Sequence, residues 1–167
     1  MALDVPAMIM PLAASTPNPI TGPIPQVDGA PTPTVEVFPG SQVCWDEDFS
    51  NGGTQPGFGP YMILILDPAL TFDSAEFYHL NLTPVFTGIF PASPGNQLND
   101  PIADEMITGP AGHTMIVLRM PIGSVVTGGP LLQTHFCVTV DPAAAINIPL
   151  PIEVIGGYEF GDTATGI

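Results

Sequence analysis

From Thr34 onward the apolar residues fall into short runs separated by turn-forming residues. The runs are Val35–Phe38, Gln42–Phe49, Tyr61–Leu66, Phe72–Leu80, Val85–Phe90, Met115–Met120, Leu132–Val140 and Ile152–Phe160. Between them stand Pro39-Gly40, Asn51-Gly52-Gly53, Pro94-Gly95-Asn96, Gly109-Pro110 and Gly128-Gly129-Pro130, and Gly156-Gly157 interrupts the last run. Short strands at this spacing, joined by Gly/Pro turns, predict an all-β antiparallel sandwich or barrel. No stretch carries a sustained 3.6-residue apolar period, and Ala143–Ala145 would supply one helical turn and no more.

Alternation along the runs assigns their faces, because side chains of a strand point to opposite sides in turn. Val43 and Trp45 share one face, against Gln42, Cys44, Asp46 and Asp48. Phe136, Val138 and Val140 oppose His135, Cys137 and Thr139, and Ile116, Leu118 and Met120 oppose Arg119. The apolar sets are the expected core. Tyr61–Leu66 (YMILIL) is apolar on both faces, which places it centrally and covered on both sides.

Residues 1–34 read differently. Pro6, Pro11, Pro17, Pro19, Pro23, Pro25, Pro31 and Pro33 prevent helix and disfavour a central strand. An extended arm of polyproline II or sheet-edge geometry remains. Val5, Met8, Ile9, Met10 and Leu12 form an apolar cluster in it, uncharged from Val5 to Ser15. Such a segment can add a strand to an exposed sheet edge of another copy, where backbone hydrogen bonds give affinity; the plainer alternative is that it packs back on its own domain or tethers it. The stretch Val5–Ala14 is no signal-peptide core, since it lacks a basic start and carries two prolines. The expected division is thus an arm over 1–34 and one sandwich over 35–167.

Charge narrows the partners. Sixteen acids stand against one base, Arg119, for a net charge of −15, and there is no lysine. Phosphate backbones and anionic lipid surfaces attract basic proteins and repel this one, so nucleic acid is excluded as a partner. The acids favour divalent cations as counter-charges. A halophile's acidic coat is the plainer reading, although sixteen acids in 167 residues are few for it. No run approaches the ~20 apolar residues of a membrane span, so direct membrane insertion is not expected.

The order of several segments resembles a known family. PGSQVCW opens a strand at Pro39. FSNGGTQPGFGPYMILILDPALTF follows from Phe49, TGPAGHTMIVLRMPIGS from Thr108, and IEVIGGYEFGD from Ile152. Together, over about residues 35–163, they resemble the Ig-like domains near the start of very large bacterial cell-surface and extracellular repeat proteins. The resemblance implies a secreted or surface-exposed Ig-like β-sandwich. It supplies no ligand, because fold does not fix function. Two departures stand out: Ile155 precedes Gly156-Gly157 where that family commonly has a basic residue, and lysine is missing.

Cys44 and Cys137 fit no CxxC pattern, leaving one long-range disulfide or two thiols. Both lie on the outward phase of their strands. The expected bridge therefore joins neighbouring antiparallel strands on the outer surface of one sheet, where opposed residues have Cα atoms ~4.5 Å apart. His135 shares that face, so His135, Cys137 and Cys44 would also suit a soft metal or a Cys–His nucleophile. A flat outer face in so acidic a chain is the wrong setting for an activated thiolate. Asp46 and Asp48, with Glu47 between them and Asn51 after, offer oxygens at a strand end that would suit Ca²⁺, against the plainer reading of a solvated acidic edge; no organic cofactor is expected. Asp100, Asp104 and Glu105 form a second acidic group, and Asp73 with Glu76 is a carboxylate pair of the kind glycosidases use. GxSxG, HExxH, P-loop and dinucleotide motifs are all absent, His79, His113 and His135 lie in separate elements, and a Lys–Asn isopeptide is impossible. The chain therefore reads as a non-enzymatic structural or assembly module, partnered by copies of itself or neighbouring surface modules. The alternatives are an adhesive module for a glycan or protein ligand, and a viral or phage fibre or capsid protein.

Overall fold

Alternating apolar residues between Gly/Pro turns become strands throughout the described part of the chain. The computed structural model describes residues 5–11, 25–28, 34–93 and 95–161. Its strands are β1 (Val5–Pro11), β2 (Pro25–Asp28), β3 (Thr34–Val37), β4 (Gln42–Asn51), β5 (Gly57–Phe58), β6 (Pro60–Leu66), β7 (Leu70–Phe77) and β8 (Leu80–Asn81). They continue as β9 (Phe86–Ile89), β10 (Gln97–Asp100), β11 (Glu105–Thr108), β12 (Thr114–Arg119), β13 (Ser124–Val125), β14 (Leu132–Val140) and β15 (Ile152–Tyr158). The described residues contain no helix, and none is therefore long and apolar enough to cross a membrane.

Two large sheets organise these strands. A six-stranded sheet has the order β3-β1-β15-β6-β12-β9, and a five-stranded sheet the order β2-β4-β14-β7-β8. The long strands β4, β6, β7, β12, β14 and β15 alternate between the two sheets along the chain. Met62, Leu64, Leu66, Ile116, Leu118, Ile152 and Val154 of the first sheet meet Phe49, Leu70, Ala75, Phe136, Val138 and Val140 of the second in one core. Val43 and Trp45 pack against its margin. The faces assigned by alternation are those found.

β6 lies between β15 and β12, and all seven of its residues are buried. Its second face carries Tyr61, Ile63 and Ile65, which join Phe90, Met115 and Val117 in a separate apolar cluster. That cluster is closed from outside by Phe86, Leu98, Ile102, Ala103 and Ile107. Leu98 and Ile107 face each other across the β10–β11 hairpin, an element that the apolar runs did not announce.

Three corrections have physical causes. The run Phe72–Leu80 breaks into a hairpin at Tyr78–His79, where φ is +44° and +68°. Two left-handed residues match a type I′ turn, whose usual Asn-Gly signal is missing here. Within β7, Cys137 is opposite Ser74 while Val138 is opposite Phe72, so Asp73 is an extra residue, a β-bulge. The bulge resets the alternation and lets Leu70, Phe72, Ala75 and Phe77 all pack inward. Finally, β1 is not at an edge despite its prolines. Val5–Met8 pair with β3 and Ile9–Pro11 pair in parallel with β15, so no residue is bridged on both sides. A missing proline N–H can then face the unpaired side. Leu12 and most of the arm's other prolines lie outside the described residues.

Gly157 stands opposite Tyr61, and a Cβ there would come within 2.2 Å of the Tyr61 ring. The ring has little room to retreat, being itself buried beside Asp100. Burial, and then the Asp100 carboxylate, push the Tyr61 phenol well above its ordinary pKa. Gly157→Ala should cost about 1–3 kcal/mol in denaturant unfolding, as overpacking does, and the loss should shrink in a Tyr61→Leu background. Glu153, opposite Ile65, has its pKa raised by burial, partly offset by His113. A carboxylate raised in the folded state loses stability as pH rises past its unfolded value. Glu153→Gln should therefore be more stable than wild type at pH 7, with the difference vanishing near pH 4 in parallel thermal melts.

Candidate functional site: a polar cleft beside the Cys44–Cys137 bridge

The outward face of the five-stranded sheet collects the polar phase of three strands. β14 runs in its middle, with β4 and β7 on either side. Register puts Cys137 opposite Cys44, and His135 between Asp46 on one neighbour and Glu76 on the other. Strand alternation brings the next outward pair, Gln133 and Asp48, into line.

Cys44 and Cys137 are joined by a disulfide with Cα atoms 4.1 Å apart, across 93 positions of sequence. It spans directly opposed residues of adjacent antiparallel strands, as their shared outward phase predicts. On its open side His135 Nδ1 lies 2.8 Å from Asp46 Oδ1, and His135 Nε2 lies 3.6 Å from Cys137 Sγ. This order of carboxylate, imidazole and sulfur is that of a nucleophile triad, but the sulfur is committed to the bridge. As it stands the group has no thiolate to offer.

Beyond His135 the face opens into a cleft of about 320 Å³ lined by Asp46, Glu76, Tyr78, His79, Gln133 and His135. The left-handed hairpin turn carries Tyr78 and His79 over the sheet's end, and the Tyr78 hydroxyl donates to the Leu131 carbonyl at 3.2 Å. His79 and His135, distant in sequence, thereby border the same space; His113 lies elsewhere, 3.8 Å from Asp67. The cleft is of small-ligand size, with two carboxylates, two imidazoles, an amide and one aromatic ring as its chemistry. No local sequence signal marks Tyr78–His79 as part of it.

The other acidic candidates are placed apart. Asp73 at the bulge accepts hydrogen bonds from Gln42 Nε2 at 2.8 Å and Thr139 Oγ1 at 2.7 Å, while Glu76 lines the cleft. Asp46 and Asp48 share the outward face of β4, but Glu47 turns inward and is fully buried opposite Thr134. Asn51 also turns inward: its side chain donates to the Gln55 and Val125 carbonyls and accepts from Gly53 N–H, organising the loop. Two carboxylates offer at most four of the six to eight oxygens that Ca²⁺ takes. Asp100 is buried and accepts from Ile102 N–H, and Asp104 accepts from Asn99, so this second group shapes the β10–β11 turn. Among the described residues, Cys44, His135 and Cys137 are the one group of three His, Cys, Asp or Glu whose ligand atoms lie within 4.8 Å of one another.

No family model matches the chain, and no curated protein or solved structure shows significant similarity to it.

The bridge has a direct chemical test. Arg119 is the single basic residue, so trypsin can cut the unfolded chain there alone. Digestion of the denatured, non-reduced protein should give two fragments, 1–119 and 120–167, that remain joined until a reductant is added. Replacing both cysteines by alanine should lower folding stability by about 2–4 kcal/mol, measured by denaturant titration.

Proposed function

We propose that the chain is a structural module of a secreted or surface assembly, an Ig-like β-sandwich stapled by one disulfide and joined to its neighbours through its N-terminal strand. The observation that carries this reading is the position of β1. β1 fills the space between β3 and β15, paired with both through its backbone. Thirteen residues separate it from β2, enough to span at most roughly 45 Å. The same strand supplied by a second copy would make the same hydrogen bonds, the low-cost route to exchange between identical chains. Exchange that does not close a ring makes a filament.

The disulfide supports an oxidising compartment, where such bonds persist. The lack of lysine supports exposure to proteases, since trypsin-like enzymes find one target, Arg119, held in β12 and paired with Glu159 at 2.9 Å. The sequence likeness to surface-protein domains points the same way.

A second reading, an adhesive module for a glycan or protein ligand, is favoured by the cleft at Tyr78, His79 and His135. The two readings separate experimentally. Deleting residues 1–14 removes β1 and should abolish oligomers seen by light scattering and electron microscopy at high protein concentration. The truncated chain should then bind a synthetic peptide of residues 1–14. A wild type that stays monomeric at every concentration, or oligomers that survive the deletion, would reject the assembly reading and leave the cleft as the functional surface.

A further inference from the structure

We propose that Cys44, Cys137 and His135 form a redox-gated site for one soft or borderline d¹⁰ cation of the Zn²⁺ class, with Asp46 as the positioning residue. The disulfide and the metal are then two alternative closures of the same pair of strands. This inference does not depend on the assembly role of β1.

The geometry points to it in three ways. Zn²⁺ holds sulfur at ~2.3 Å and imidazole nitrogen at ~2.0 Å, so neighbouring ligand atoms of a tetrahedral site stand roughly 3.3–3.8 Å apart. His135 Nε2 already lies 3.6 Å from Cys137 Sγ, and all three ligand atoms fall within 4.8 Å. Asp46 occupies Nδ1 of the same ring at 2.8 Å, which presents the lone pair of Nε2 toward the sulfurs. A carboxylate behind a histidine in this way fixes the tautomer and raises the ligand's basicity. His135 itself borders the cleft, where Glu76 faces it across the ladder, so a fourth ligand would come from water or Glu76 on that side. The net charge of −15 adds a general attraction for cations.

The chemistry balances without any hidden partner. A dithiol reductant transfers two electrons and two protons to the S–S bond, giving two thiols and its own cyclic disulfide. The cation then displaces the two thiol protons to solvent and binds two thiolates and one neutral imidazole. The sulfurs separate by rotation of two outward-facing side chains, with no demand on the β4–β14 register. In a reducing compartment the strands are held by the metal, and in an oxidising one by the bond.

The test uses the full chain and Co²⁺ as a spectroscopic probe. The protein is reduced with a dithiol, freed of reductant without oxygen, and titrated beside the oxidised protein. Reduced wild type should take up one Co²⁺ per chain with a sulfur-to-cobalt charge-transfer band, and Zn²⁺ should displace it. The oxidised chain and the Cys44→Ser/Cys137→Ser variant should show no such band. His135→Ala and Asp46→Asn should each weaken uptake about 10–100-fold, while their oxidised forms keep the wild-type melting temperature within a few degrees. Equal binding by reduced and oxidised protein would assign the cation to the acidic surface and overturn the proposal. So would a reduced chain that unfolds and does not regain its far-ultraviolet strand signal on adding Co²⁺.

Discussion

Burial of β6 on both faces is the constraint on which the rest of the structure depends. A strand reading PYMILIL has no side to turn to water, so two independent layers must cover it. The five-stranded sheet covers one side. The other is covered by the β9 region, the β10–β11 hairpin and the turn between its strands, which would otherwise have no reason to lie against the sheet. Neighbours on both edges, β15 and β12, complete its backbone hydrogen bonds. A fully buried Leu or Ile contributes about 1.5–3 kcal/mol, and four such residues lie consecutively or nearly so from Ile63 to Leu66. The six-stranded sheet is thus arranged around one strand, and the polar chemistry is displaced to the far face of the other sheet.

Much of this is legible in the sequence, and the limits are physical. Alternation at Val43/Trp45, Phe136/Val138/Val140 and Ile116/Leu118/Met120 gives the correct inward faces because a half-buried strand cannot hide its period. The phase of Cys44 and Cys137 gives the bridge and its face for the same reason. What escaped are the places where local residues do not decide the backbone. Tyr78–His79 turns without glycine or asparagine because the flanking strand pairing requires it. Asp73 bulges because Phe72 and Ala75 both need the core, a requirement visible only once their neighbours are known. Glu47 and Asn51 looked like surface acid and ligand, yet the strand's own period turns both inward.

The cleft shows how a flat sheet acquires a site. A sheet face offers rows of side chains but no concavity. Here the hairpin turn rises past the sheet's end to form a wall, tethered through Tyr78 to Leu131. Register then concentrates unlike groups: a histidine flanked by carboxylates on both neighbouring strands, next to the bridged sulfurs. In a chain with a single permanent cation, already engaged by Glu159, histidines are the groups on this face able to answer the acids with positive charge.

The bulge at Asp73 makes the length of β7 independent of the core it serves. Leaving that residue out would restore strict alternation, with Leu70, Phe72, Ala75 and Phe77 still facing inward in unbroken phase. The extra residue is therefore kept by the outward face alone, where its carboxylate accepts from Thr139 of the adjacent β14 and from Gln42 of β4 one strand further on. This is a point where one residue can be gained or lost without a shift of the interior, and where such a change would be read first as an altered pattern of polar side chains.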